Sequence, residues 1–125
     1  MIVIRMNGWE PTFQEELDSL VANPGSCDEV WLAVYGYYPL EEQYLRAADF
    51  AKHAKQVRDA GFRPVFEMGS TLGHVPEMLE NEVTRNFTKM TDQFGVSMPG
   101  AFCPRCENLR AYHQEVVKAF MQYKP

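Results

Sequence analysis

Seven residues of this chain mix aromatic rings with amide, hydroxyl, imidazole and carboxylate groups: Asn7, Trp9, Tyr35, Tyr37, Glu67, Ser70 and His74. Each sits at or just beyond the end of a short apolar run, with Tyr38 and Thr71 close by. Gathered on one rim, such groups suit a sugar. Rings stack on the apolar faces of a pyranose, and the polar groups bind its hydroxyls. For each aromatic residue, packing against a neighbouring loop is an equally weighted expectation. By alternation Glu67 shares a face with Val65, and Arg5 with Val3, so both charges fall on the face opposite the apolar one. Glu67 reads either as a general acid or base, or as the ion-pair partner of Arg5 or of a later strand. The second reading is favoured, because acid/base work on glycosides needs two carboxylates across the bond. No second strand-end carboxylate is visible, so no catalytic residue is assigned.

Cys103-Pro104-Arg105-Cys106 is a CxxC before a helical pattern. It reads as half of a zinc site, as a thiol redox pair, or as two ordinary partly buried thiols. Structural zinc needs four ligands. Cys27 is expected at the opposite, amino end of the sheet, which leaves His74 as the nearby candidate on the same rim. A redox CxxC is expected straight after the first strand of its fold, and this one is not there. Ordinary thiols are the favoured reading, and no metal or cofactor is assigned. Met6, Met68, Met78, Met90, Met98 and Met121 read as packing. His53 and His113 sit within helical patterns and carry no assigned role.

The elements that must position these groups are organised around Asp28-Glu29-Val30-Trp31-Leu32-Ala33-Val34-Tyr35-Gly36. This run is too short for an ordinary helix, rich in β-branched and aromatic residues, and clearly polar on neither face. That is the pattern of a strand buried on both sides in a parallel sheet. Ile2 to Asn7 is the first strand candidate, ended by Gly8. Pro11 then suits a first helical turn, with Phe13, Leu17, Leu20 and Val21 at helical spacing. Asn23-Pro24-Gly25-Ser26 is a stop and turn. From Leu40 to Ala60 the pattern is helical again, with an expected buried stripe of Tyr44, Leu45, Ala48, Ala51, Ala54 and Val57. Gly61 stands where a C-cap glycine belongs. Phe62 to Met68 is the third strand candidate. Gly69 to Gly100 has no clean period beyond a short helix expected near Met78 to Arg85; excursions of this length are usually functional or mobile. The last helix carries Leu109, Tyr112, Val116, Val117 and Phe120 as its apolar stripe.

Composition narrows the class. The chain has 125 residues, enough for one domain, with 46% hydrophobic and 23% charged residues, which is globular rather than disordered composition. The net charge of −5 and the lack of a basic patch argue against nucleic acid as a partner. No apolar run approaches a membrane span, so no membrane partner is expected. No basic region precedes an apolar core at the N-terminus, so no signal peptide is expected. Three cysteines without a disulfide framework's spacing fit a reducing cytoplasm.

Strand, helix, strand, helix, strand, helix with right-handed crossovers predicts an α/β fold of three adjacent parallel strands in order 1-2-3. Helices all on one side make this part of a TIM-type (β/α)8 barrel; helices on both sides make a small doubly wound domain. The barrel is the expectation, since the chain stops where a loop to a fourth strand would begin. Asp28-Glu29-Val30-Trp31-Leu32-Ala33, Ser70-Thr71-Leu72-Gly73-His74 and Phe102-Cys103-Pro104 before a helix together resemble the N-terminal part of bacterial glycoside hydrolase-like (β/α)8 barrels. The CxxC segment also resembles the cysteine-rich stretch of the barrel β-galactosidases, where such cysteines bind zinc; here Ala101 stands where a further cysteine is expected. The resemblance implies a carbohydrate ligand. It also implies an acid/base and a nucleophile on later strands, typically the fourth and seventh, so it carries over no catalytic residue. The expectation is therefore three βα units of a carbohydrate-active barrel enzyme, holding part of a sugar site and lacking the catalytic pair. A self-contained α/β binding or interaction domain and a truncated sugar isomerase or aldolase barrel are the alternatives. Because both faces of the central run read as largely apolar, the isolated chain is expected to be a homo-oligomer or to pair with the remainder of the barrel.

Overall fold

Three short runs pair as parallel strands, β1 (Val3–Met6), β2 (Glu29–Val34) and β3 (Arg63–Met68), in the order β1-β2-β3. The computed structural model describes residues 1–7, 11–69 and 80–124. The register aligns Arg5 with Trp31 and Trp31 with Val65. Parallel pairing requires long crossovers, and α1 (Phe13–Ala22) and α2 (Leu40–Asp59) supply them. A third helix, α3 (Glu107–Met121), closes the chain.

The three α-helices among the described residues pack on one face of the sheet. Val30, Leu32 and Val34 of β2 share a single apolar cluster with Phe13 and Leu17 of α1, Phe50 and Val57 of α2, and Leu109 and Phe120 of α3; Ile4, Phe66 and Met68 pack against it. Helix α2 lies between the other two. Phe13 and His53 rings meet at 4.5 Å, and Phe50 meets Phe120 edge-on at 5.3 Å. Phe120 in turn stacks on Phe66 of β3 at 4.8 Å. The expected α/β class and the three-strand parallel order are thus present.

The buried stripe of α2 differs from the expected one. Gln43, Ala47, Phe50, Ala54 and Val57 are buried, while Leu45 is 71% exposed. Both stripes contain Ala54 and Val57, and the helix turns to the side that buries the Phe50 ring. The larger apolar area decides the rotation, and it carries a glutamine into the core. The stripe of α3 matches expectation except that Ala119 is buried and Val117 is exposed.

The described part of the long excursion is ordered. Met78 and Leu79 of the expected short helix lie outside the described residues; its described part holds no α-helix and leads into a 3-10 turn at Thr84–Asn86, followed by an antiparallel hairpin of β4 (Lys89–Thr91) and β5 (Ser97–Phe102). Asp92 Oδ1 accepts from the N–H groups of Phe94 and Val96 at 2.8 and 2.9 Å, and Gly95 takes φ +82°. This is the local carboxylate-to-backbone bonding that starts a turn. Glu80 fastens the hairpin by accepting from Lys89 Nζ at 2.8 Å and from the Gly100 N–H at 2.9 Å. The hairpin exposes Met90 and Met98, which the sequence suggested as packing. No helix among the described residues is long and apolar enough to cross a membrane.

The side-chain amide N–H of the buried Gln43 is held by Tyr112. The Tyr112 hydroxyl accepts from Gln43 Nε2 at 2.8 Å and from the Tyr38 N–H at 3.0 Å, and donates to the Tyr38 carbonyl at 2.8 Å. One phenol therefore ties the β2–α2 loop and α2 to α3. Tyr112→Phe strands buried donors and is expected to cost about 1–3 kcal/mol, read by urea denaturation. Burial pushes the neighbouring Tyr37 phenol up to about 12, with the Tyr112 hydroxyl adding to the effect. The unfolded phenol ionises first, so this contribution is complete below about pH 10 and is lost as pH rises toward about 12. Stability should fall over that window, and Tyr37→Phe should flatten the decline.

Candidate functional site on the helix-free sheet face

Residues that alternate away from the helices form the opposite face: Val3 and Arg5 on β1; Glu29, Trp31 and Ala33 on β2, followed by Tyr35; Arg63, Val65 and Glu67 on β3. Among the described residues no helix covers it. Its charges are paired across the strands. Arg5 Nε donates to Glu67 Oε2 at 2.6 Å, spanning the central strand. Arg63 pairs with Glu29, whose other oxygen accepts from Trp31 Nε1 at 2.8 Å. Glu29 is only 4% exposed, while the Arg63 side chain is largely in solvent. Ala33 is 1% exposed, lying between these longer side chains. The face is thus a mixture of ion pairs and aromatic rings rather than the bare apolar surface expected from the central run.

The carboxyl ends of the three strands share one rim, as parallel pairing requires, and Asn7, Tyr35 and Gly69 follow them there. The Arg5 guanidinium lies 4.9 Å from the centroid of the Tyr35 ring, within cation–π range. The Tyr35 ring also lies on Gly69, where an added Cβ would come within 2.5 Å of it. Arg5 therefore links Tyr35 to Glu67, and two of the expected site residues are brought together. Asn7 is half-buried just past β1. Trp9, Ser70 and His74 lie outside the described residues.

Tyr37 belongs to the core instead. It is 2% exposed, and its ring is surrounded by Phe87, Phe102, Tyr112 and His113 at 5.4–5.7 Å between centroids. It offers no free ring face to a ligand. Strand alternation ends at Tyr35, so nothing in the local pattern distinguished the rim tyrosine from the buried one. The Glu29–Arg63 pair was not singled out from sequence, although its signal was present: both residues fall in the period-2 series of Trp31 and Val65. Read as a flank of the central run, Glu29 was missed as part of it.

The thiols lie elsewhere. Cys27 is buried before β2, at the amino end of the sheet, as expected. Cys106 immediately precedes α3, and Cys103 is half-buried. Among the described residues no group of three histidine, cysteine or acidic side chains is placed to hold a metal ion. The described donors therefore do not fit the zinc that the β-galactosidase resemblance implies. Comparison with known protein families, with curated proteins and with solved structures finds no match to this chain.

The two ion pairs should differ in weight. The Arg5 and Glu67 side chains are 49% and 25% exposed, so solvent screens them and Glu67→Gln should cost less than about 1 kcal/mol. Arg63→Ala leaves the Glu29 carboxylate buried with one partner fewer and should cost about 1–3 kcal/mol. Chemical denaturation of both variants checks the order.

Proposed function

We propose that this chain supplies three βα units of a (β/α)8 barrel and that a carbohydrate binds at the rim formed by its strand carboxyl ends. The observation that carries the reading is the one-sided layering of helices on a parallel sheet. In such barrels the helix-free face turns inward, and ligands meet the carboxyl ends of the strands. There the half-buried Tyr35 would offer its ring to the apolar face of a sugar, and Glu67, oriented by Arg5, would accept hydrogen bonds from sugar hydroxyls. Asn7 would add an amide, and the sequence alone proposes Trp9, Ser70 and His74 as further ligand groups. The role proposed is binding. A lone carboxylate held by an arginine does not make the acid and base pair that glycoside cleavage needs.

A second reading is a self-contained two-layer α/β domain. It is favoured by the two cross-strand ion pairs, which already satisfy the charges on the helix-free face. The two readings differ in association. β1 and β3 are the outer strands of the three-stranded sheet, and a barrel slice would cover its face and edges with a second copy or with further strands. Light scattering that gives an oligomer supports the barrel reading, and a monomer that unfolds cooperatively supports the two-layer domain. Binding is tested by titrating neutral mono- and oligosaccharides while following the Trp31 and Tyr35 signals by NMR. Saturable shifts are expected, with affinity lowered at least about tenfold, near 1.4 kcal/mol, by Tyr35→Ala. Signals unmoved by every saccharide overturn the carbohydrate reading.

A further inference from the structure

The CxxC forms a backbone turn that sets the spacing of its two cysteines. The Cys106 N–H donates to the Cys103 carbonyl at 2.9 Å, closing a four-residue turn. Such a turn holds its end Cα atoms within about 7 Å, which overlaps the span of about 4.4–6.8 Å that a disulfide bridges. The turn is held in place from outside. The Cys103 N–H donates to the Thr88 carbonyl at 2.8 Å, and the Thr88 N–H donates to Cys106 Sγ at 3.2 Å. Cys106 also stands at the start of the 15-residue helix α3, where the helix dipole favours negative charge. Burial alone would raise the Cys106 thiol, but N–H groups of Thr88, Leu109 and Asn108 and the Thr88 hydroxyl outweigh it and hold the thiol below its ordinary value. The two thiols differ in access: Cys106 is 7% exposed, whereas Cys103 is half-buried. No third metal-ligating side chain joins them among the described residues.

We propose that Cys103 and Cys106 are a redox site that forms a reversible intramolecular disulfide by exchange with low-molecular-weight disulfides of the glutathione class. The accessible Cys103 thiolate attacks one sulfur of the external disulfide. A Cys103–S–S–R bond forms, the external S–S bond breaks, and the departing half leaves as a thiolate that takes up a proton. The Cys106 thiolate then attacks Cys103 Sγ, the mixed disulfide breaks, and the second half leaves in the same way. Two protein thiols are oxidised to one disulfide and one external disulfide is reduced to two thiols, the protons passing to the leaving groups. Cys106, stabilised as a thiolate by its N–H donors, is the resolving nucleophile. Cys27 is a built-in comparison: it is buried, and burial raises its thiol.

The test exposes the full chain at neutral pH to excess oxidised glutathione, quenches with acid, alkylates, and maps peptides by mass. The expected result is the loss of two of the three alkylatable thiols, a Cys103–Cys106 disulfide, an unmodified Cys27, and full recovery on reduction with dithiothreitol. The Cys106→Ser variant should stop at a glutathione adduct on Cys103. If Cys103 and Cys106 of the unaltered chain both remain alkylatable, or if oxidation stops there at the Cys103 adduct, the proposal is overturned. That measurement needs no variant to fold.

Discussion

The structure depends on the strict alternation of side chains along β2. This strand is hydrogen-bonded on both edges, so it cannot twist or slip without moving β1 and β3. Its pleat sends Val30, Leu32 and Val34 into the helix layer and Glu29, Trp31 and Ala33 to the other side. A slip of one residue would bury a carboxylate and an indole against α2 and expose three aliphatic side chains. With aliphatic burial worth roughly 25 cal/mol per Å², no nearby register competes. The positions of Arg5 and Glu67, two strands apart, follow from that register, and so does the single interaction that joins them over the central strand.

The second organising contact is polar. Helix α2 could present either of two overlapping stripes, and the one chosen buries Gln43 at 1% exposure. Such burial is tolerable only with hydrogen-bond partners, and the Tyr112 hydroxyl is one of them. The same hydroxyl holds both the N–H and the carbonyl of Tyr38. Helix α3 is therefore joined to the loop that leads out of β2 by specific bonds, while the Phe120 ring joins it to Phe50 of α2 and Phe66 of β3. Gly36 belongs to the same arrangement: at φ +85° it turns the chain so that the Tyr38 ring folds back, and a Cβ there would meet that ring at 2.8 Å.

The two faces of the sheet serve different physical ends. The helix side is an aromatic and aliphatic core whose energetics are those of burial. The other side holds charges that neutralise one another and rings that lie against guanidinium and backbone. Charge pairs of this kind contribute modestly to stability when exposed. Their effect on this face is to fix orientation: Arg5 contacts both the Tyr35 ring and the Glu67 carboxylate, so these rim groups are held in a defined arrangement.

By itself the sequence determined what depends on local period and punctuation. Short apolar runs marked the three strands, and alternation placed Arg5 and Glu67 on a common face; helical spacing and the Pro and Gly signals bounded the helices to within a residue or two. The apolar residues of α3 were legible for the same reason, since one stripe there is clearly stronger than its rivals. Tertiary structure alone decided where several local patterns were equally good. The rotation of α2 was set by the Phe50 ring and by a glutamine partner nearly seventy residues away, which no window along the helix contains. Whether Tyr35 or Tyr37 faced the rim was set by the aromatic cluster of Phe87, Phe102 and Tyr112, built from distant segments. The hairpin of β4 and β5 was invisible because its strands are short and exposed, and carry Pro99 and Gly100. Its order comes from Asp92, Glu80 and Lys89, polar contacts with no periodic signature.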